Sequence, residues 1–302
     1  MKLVTCLVGD QSGPQVGLVL GDDRVVMTKE LLAAIKGDPA CGSSMVNFIQ
    51  LTRSILEDVH SAGLGVIAER GGFPLHSVRL LPPIPRPGKI IGLGYNYRAL
   101  CKHEGLTPAQ EPELFTKMPT SVIGPFDPVM VPRVINKVDF EAELGVVIGR
   151  YCRDVPVSKA LEYVGGYTAI NDVTAKIIPR PPEAKSVVLA LKGCDTFAPT
   201  GPCLVTSDEI QDPQNMNILC RVNGEEKQNF NTSDMVKTVA EVIAYISERI
   251  TLEPGDLIST GTSLGIGIIQ KPPVFLENLD VVEIEIQGIG TICNTFIIPA
   301  LR

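Results

Sequence analysis

The segment Val138-Asp139-Phe140-Glu141-Ala142-Glu143-Leu144-Gly145-Val146-Val147-Ile148 alternates acid and apolar side chains through its first half. Successive side chains of a strand point to opposite faces. The segment therefore predicts a strand with Asp139, Glu141 and Glu143 on one face and Val138, Phe140, Ala142, Leu144, Val146 and Ile148 on the other. Carboxylates packed that closely repel one another, and strand interiors are depleted in acid. Two readings stay open: a solvated polar face on an edge strand, or a site where a divalent cation relieves the repulsion.

The chain has 302 residues, enough for one large core or two unequal domains. A net charge of -7 without any Lys/Arg run argues against nucleic acid or an anionic membrane as the main partner. Eight scattered cysteines contain no C-x-x-C pair, which excludes zinc ribbons and thioredoxin-like motifs. They read as buried thiols in a reducing compartment. Met1–Val8 is too short for a signal h-region, no Arg-rich leader precedes it, and no run is long enough to span a bilayer. The expectation is a soluble, cytoplasmic protein.

Residues 1–80 predict a small α+β domain: strands at Lys2–Val8, Val16–Leu20 and Val25–Met27, then helices at Lys29–Ile35 and Met45–Ala62. Leu81-Pro82-Pro83-Ile84-Pro85-Arg86-Pro87-Gly88 cannot sustain a helix or a central strand, so 81–88 is expected to be a linker. Beyond it, 89–302 is dominated by short β-like runs punctuated by Gly and Pro, with two helices expected at Ser158–Val164 and Ser233–Ile250. The order is not a regular βα alternation, which disfavours a doubly wound sheet or a TIM barrel. The fold class predicted is α+β, mostly β, with peripheral helices.

Only three histidines occur (60, 76, 103), none at metal-ligand spacing, so any metal is expected to be held by oxygen: Mg²⁺, Mn²⁺ or Ca²⁺. Asp172 ends the apolar run Gly166–Asn171 and reads equally as a turn or cap residue and as a ligand. Lys192 follows the apolar run Val187-Val188-Leu189-Ala190-Leu191, either reaching out to solvent or held to meet an anion. Ser259-Thr260-Gly261-Thr262 opens a glycine-rich loop that reads as a hairpin turn or as a cradle for a substrate oxygen. It lacks the Gly-Lys-Thr/Ser of a phosphate loop, no G-x-G-x-x-G is completed, and no G-x-S-x-G elbow exists.

In order, these segments resemble the fumarylacetoacetate hydrolase family. The motifs are Ile90-Ile91-Gly92-Leu93-Gly94-Tyr95-Asn96-Tyr97, Leu114-Phe115-Thr116-Lys117-Met118-Pro119-Thr120-Ser121, Val138–Leu144, Gly166–Ala175, Lys192-Gly193-Cys194-Asp195-Thr196-Phe197 and Leu252–Thr262. The resemblance implies a mixed β-roll catalytic domain of β-sandwich type, a homodimer, and Mg²⁺ (or Mn²⁺, Ca²⁺) as cofactor. By position it makes Glu141, Glu143 and Asp172 the metal ligands and sets Lys117, Ser121, Lys176, Lys192, Gly261 and Thr262 around a small oxo-acid substrate. Such enzymes cleave, decarboxylate, isomerise or tautomerise 2-oxo and 1,3-dicarbonyl acids through a metal-bound enolate.

Two departures tilt the expectation. The family's Asn-Tyr-x-x-His-x-x-Glu becomes Asn96-Tyr97-Arg98-Ala99-Leu100-Cys101-Lys102-His103, with Leu100 at the histidine position and His103 at the glutamate position. His103 reads first as a surface histidine, and otherwise His103 and Glu104 stand in for the pair that activates water. Lys176 replaces an arginine and loses its bidentate fork. The expected activity is therefore tautomerase/isomerase or decarboxylase on oxaloacetate-like acids. C–C hydrolysis of an acylpyruvate or fumarylacetoacetate-like substrate is the alternative, with a bulkier substrate of specialised metabolism as one form of it. A catalytically degraded metal-binding scaffold is the reading from another class.

Overall fold

A computed structural model of the chain describes residues 1–9, 13–21, 23–51, 53–135, 137–176 and 188–300. Among these the architecture is mostly β. The centre of the largest sheet runs Ala198–Thr206, Val164–Asn171, Ala142–Ile148, Leu257–Ser259, Ile90–Gly94, Glu113–Lys117. Every neighbouring pair is antiparallel except Leu257–Ser259 with Ile90–Gly94. Lys2–Val8 pairs with Ala198–Thr206 through Lys2↔Val205, so the strands of the first 80 residues continue the same sheet. A second, five-stranded sheet orders Glu225–Asn231, Asn217–Val222, Val281–Ile286, Gly290–Ile297 and Val129–Met130.

The strand expected across Val138–Ile148 is two pieces. Val138–Asp139 pairs with Thr174–Ala175, and Ala142–Ile148 lies between Val164–Asn171 and Leu257–Ser259. Two cores explain why nothing on this strand meets water. Leu144, Val146 and Ile148 join the cluster that includes Ile218, Ile284 and Ile292, while Val147 joins Leu3, Phe48 and Ile170 on the other face. The solvated-face reading is therefore overturned: Asp139, Glu141 and Glu143 are all buried. Burying a leucine contributes about 1.5–3 kcal/mol, whereas a buried unpaired charge costs several. Acids in this position must be compensated.

Helix boundaries differ from the sequence expectations where capping chemistry decides. The late helix begins at Val239, not Ser233, because Thr238 and Glu241 form a reciprocal capping box; Thr232–Asp234 is a separate 3₁₀ turn. Ser158 caps nothing: Val157–Ala160 is one helical turn after Pro156, continued as a 3₁₀ turn over Leu161–Tyr163. The single helix expected over Met45–Ala62 is split into Met45–Phe48 and Arg53–Arg70, the first piece ending where the Leu51 amide returns to the Phe48 carbonyl. No helix among the described residues is long and apolar enough to cross a membrane.

Candidate metal centre and active site

Register brings the acids together. Ala142 pairs with Asn171, and the Asp172 amide donates to the Glu141 carbonyl at 2.9 Å, so the end of one strand faces the start of the next. One carboxylate oxygen from each of Glu141, Glu143 and Asp172 lies within 4.8 Å of the others, and all three residues are buried. Asp139 turns elsewhere. Its carboxylate accepts from the Gly267 and Ile268 amides at 2.8 Å each and from its own Phe140 amide at 3.0 Å. Gly267 is obligatory there, since a Cβ would sit 1.9 Å from the Val274 carbonyl oxygen. Burial pushes the Asp139 carboxyl up to about 6, against the nearby Lys176 ammonium.

Lysines supply part of the compensation. Lys192 Nζ donates to Glu141 Oε2 at 2.8 Å, to Thr174 Oγ1 at 2.9 Å and, closer still, to Asp172 Oδ2. Its ammonium also lies 4.5 Å from the centre of the Phe115 ring. Lys176 Nζ reaches Glu141 Oε1 at 3.1 Å. Burial alone would raise the Glu141 carboxyl, but Lys192 and Lys176 outweigh it and hold it at about 2. Burial lowers the Lys192 ammonium, and the facing Asp172 and Glu141 more than reverse that, so it stays firmly charged.

Among the described residues, Glu143 has no lysine contact. It accepts from Ser259 Oγ at 2.5 Å and from the Gly261 amide at 2.7 Å, the latter made possible by Gly261 at φ 92°. Burial and the neighbouring Asp172 charge push its carboxyl up to about 8. It is the one carboxylate of the three that no lysine ammonium contacts among the described residues. A set of three hard carboxylate oxygens, one of them without an ammonium partner, fits a divalent ion such as Mg²⁺, Mn²⁺ or Ca²⁺, and fits poorly any metal that needs nitrogen or sulfur.

The cluster opens into a cavity of about 490 Å³ whose walls include Glu141, Glu143, Lys176, Lys192, Thr262 and Leu100. That volume suits a small ligand. Not every residue expected at the site faces it. Lys117 is fully buried behind the cavity, donating to Asp172 Oδ1 at 2.6 Å and to the Val173 carbonyl at 3.1 Å. Ser121 is spent on the Met118 carbonyl at 2.6 Å. Gly261 holds Glu143 with its backbone. Thr262 donates to the Ala142 carbonyl at 2.9 Å and accepts from Gln228 Nε2 at 2.9 Å.

In the altered loop, Glu104 reaches the cavity wall, whereas His103 is 39 % exposed with Nδ1 3.0 Å from Glu104 Oε1. Sequence reasoning missed Ser259, Phe115, Glu113 and Tyr95. Ser259 carried no signal beyond its place in the glycine-rich motif. Glu113, Phe115 and Lys117 alternate on one strand, and that period-2 spacing could have flagged them.

The family model described as fumarylacetoacetate (FAA) hydrolase C-terminal matches residues 89–297. The oxaloacetate tautomerase FAHD2A of Homo sapiens, a mitochondrial protein, is 37% identical over 294 residues, covering 97% of this chain and 91% of its own. Among solved structures, fumarylacetoacetate hydrolase from Exiguobacterium antarcticum aligns with a TM-score of 0.80 at 30% identity, over 99% of this chain and 100% of the other. Maleylpyruvate hydrolase from Sphingobium sp. SYK-6, in complex with manganese(II) and pyruvate, aligns with a TM-score of 0.76 at 28% identity over the same shares. With its site geometry and most of its length accounted for, the chain belongs to the fumarylacetoacetate hydrolase family.

Proposed function

We propose that this enzyme interconverts keto and enol forms of a small 2-oxo acid, oxaloacetate being the first substrate to test, with a divalent cation, Mg²⁺ by preference, at Glu141, Glu143 and Asp172. One observation carries the proposal: three buried carboxylates converge, and two of them, Glu141 and Glu143, line a cavity whose wall has Leu100 in place of a proton-accepting side chain. The cation supplies Lewis-acid charge that favours an enolate. Around it, Lys192 and Lys176 present ammonium groups to the substrate's carboxylate and to developing negative charge. Leu100, Leu191 and Ile268 keep the surroundings apolar, which strengthens those contacts and limits the water available for hydrolysis. Decarboxylation of the same acids lies on the same enolate path.

A second reading is C–C hydrolysis of an acylpyruvate-like substrate. Glu104 favours it, because it lines the cavity with His103 at its back and could accept a proton from water. The eight free thiols fit a reducing compartment. We place the enzyme in the cytoplasm, although the human relative carries a mitochondrial name, and we propose a homodimer.

The test follows the enol absorbance of oxaloacetate with Mg²⁺, with Mn²⁺ and after chelation. Metal-dependent interconversion that disappears in Glu141→Gln is the expected result. Equal rates with and without chelator would defeat the proposal.

A further inference from the structure

A keto–enol interconversion moves one proton between carbon and oxygen, and the cavity must hold a group able to carry it. Most protons there are committed. Lys192 is bound to Glu141, Asp172 and Thr174, Lys176 to Glu141, and Glu104 faces His103. Leu100 carries none. Tyr95 is the one phenol in the wall, and its hydroxyl has no hydrogen-bond partner among the described residues.

Its backbone is the second observation. Tyr95 has φ 49°, the left-handed region that a bulky side chain seldom adopts and that persists only when the surroundings enforce it. They do. The preceding Gly94 ends a central strand, Cys101 Sγ lies 3.1 Å from the Tyr95 carbonyl, and Asn96 is fixed by its amide bonds to the Thr260 and Lys237 carbonyls at 2.9 and 3.2 Å. The same Asn96 oxygen accepts from the Lys237 amide at 2.9 Å. Tyr95 is 46 % exposed and lines the cavity, where a packed core would have buried it.

We propose that Tyr95 is a catalytic residue that delivers and recovers the proton of the keto–enol step, a role resting on the function proposed above. From enol to keto, the phenol O–H bond breaks as its proton bonds to carbon 3, and the C2–C3 π pair becomes the new C–H bond. The enol O–H bond breaks, its electron pair closes the C2 carbonyl, and its proton passes to water at the cavity mouth. The phenolate then regains a proton from that water, so the cycle closes without any other reactant. Partial burial raises the phenol's pKa, and Glu104, Glu113 and Glu141 raise it further against the opposing Lys176 charge, so it is protonated at neutral pH.

The experiment compares wild type, Tyr95→Phe and Tyr95→Gly with oxaloacetate and Mg²⁺, with Mg²⁺ affinity measured separately by calorimetry. Tyr95→Phe is expected to lose about 10²–10⁴-fold in kcat with KM and Mg²⁺ affinity little changed, and to lose the alkaline fall in rate that deprotonation of the phenol gives wild type. Tyr95→Gly accepts the left-handed backbone without strain and is expected to be rescued by added phenol, which a purely structural tyrosine would not show. An active wild type matched in kcat and pH profile by Tyr95→Phe would overturn the role of Tyr95 alone. A wild type with no metal-dependent turnover would overturn the proposed function and Tyr95 with it.

Discussion

Lys117 Nζ sits 2.6 Å from Asp172 Oδ1, and both side chains are wholly shut off from solvent. The lysine comes from Glu113–Lys117 and the aspartate from just past Val164–Asn171, so one ion pair fixes two separate strands around the carboxylate cluster. Burial lowers the Lys117 ammonium despite its partner, which marks the pair as strained electrostatically and dependent on its geometry.

Removing that lysine should therefore be costly. Lys117→Met leaves Asp172 buried beside two other acids with Lys192 as its remaining ammonium partner, so the loss is expected at the lower end of the about 3–5 kcal/mol that removing one partner of a buried pair costs. The measurement is urea unfolding of the metal-free protein. A change within the scatter of surface substitutions would show that the pair contributes nothing.

Cation uptake should depend on pH through Glu143. Its carboxyl is pushed up to about 8 from 4.5, so at neutral pH the metal-free site holds a proton there. A cation must displace it, and affinity is expected to rise with pH until about 8 and then level off. The stability sign follows: above 4.5 the unfolded chain sheds this proton first, so the metal-free protein weakens as pH climbs towards about 8. Bound cation should cancel that loss. Calorimetry in buffers of different ionisation enthalpy at neutral pH checks it, with uptake that releases no proton as the contrary outcome.

Leu100 is expected to set the balance between reactions. Leu100→His puts a proton acceptor into the cavity wall three residues before His103 and four before Glu104. The variant should gain C–C hydrolysis of an acylpyruvate while its oxaloacetate interconversion falls, read as product formation on the two substrates. No hydrolysis in a folded, cation-binding variant would mean that the leucine is not what suppresses it.

Thr238 should matter for the late helix. Its hydroxyl accepts from the Glu241 amide at 3.2 Å while Glu241 reaches back to the Thr238 amide at 2.8 Å. Thr238→Ala is expected to cost about 1 kcal/mol, seen as a lowered Tm with unchanged cation affinity. An unaltered Tm would show that the 3₁₀ turn at Thr232–Asp234 starts the helix by itself.

The sequence by itself determined that acids and apolar side chains alternate around Glu141 and Glu143, that oxygen must be the donor for any metal, and that the chain is mostly β. These are local properties: strand periodicity, ligand chemistry and the placement of Gly and Pro survive without knowledge of neighbours. Three matters waited for the tertiary structure. Glu141 and Glu143 meet Asp172 because Ala142 pairs with Asn171, a register between segments some thirty residues apart. Asp139 leaves the cluster because the Gly267 and Ile268 amides, far along the chain, take its carboxylate. Lys117 lies behind Asp172, and Tyr95 lines the cavity with its carbonyl held by Cys101 and the next residue, Asn96, held by Thr260 and Lys237. Which way an acid, a lysine or a phenol points is decided by the charges and hydrogen-bond partners that folding delivers, and a linear pattern does not contain those.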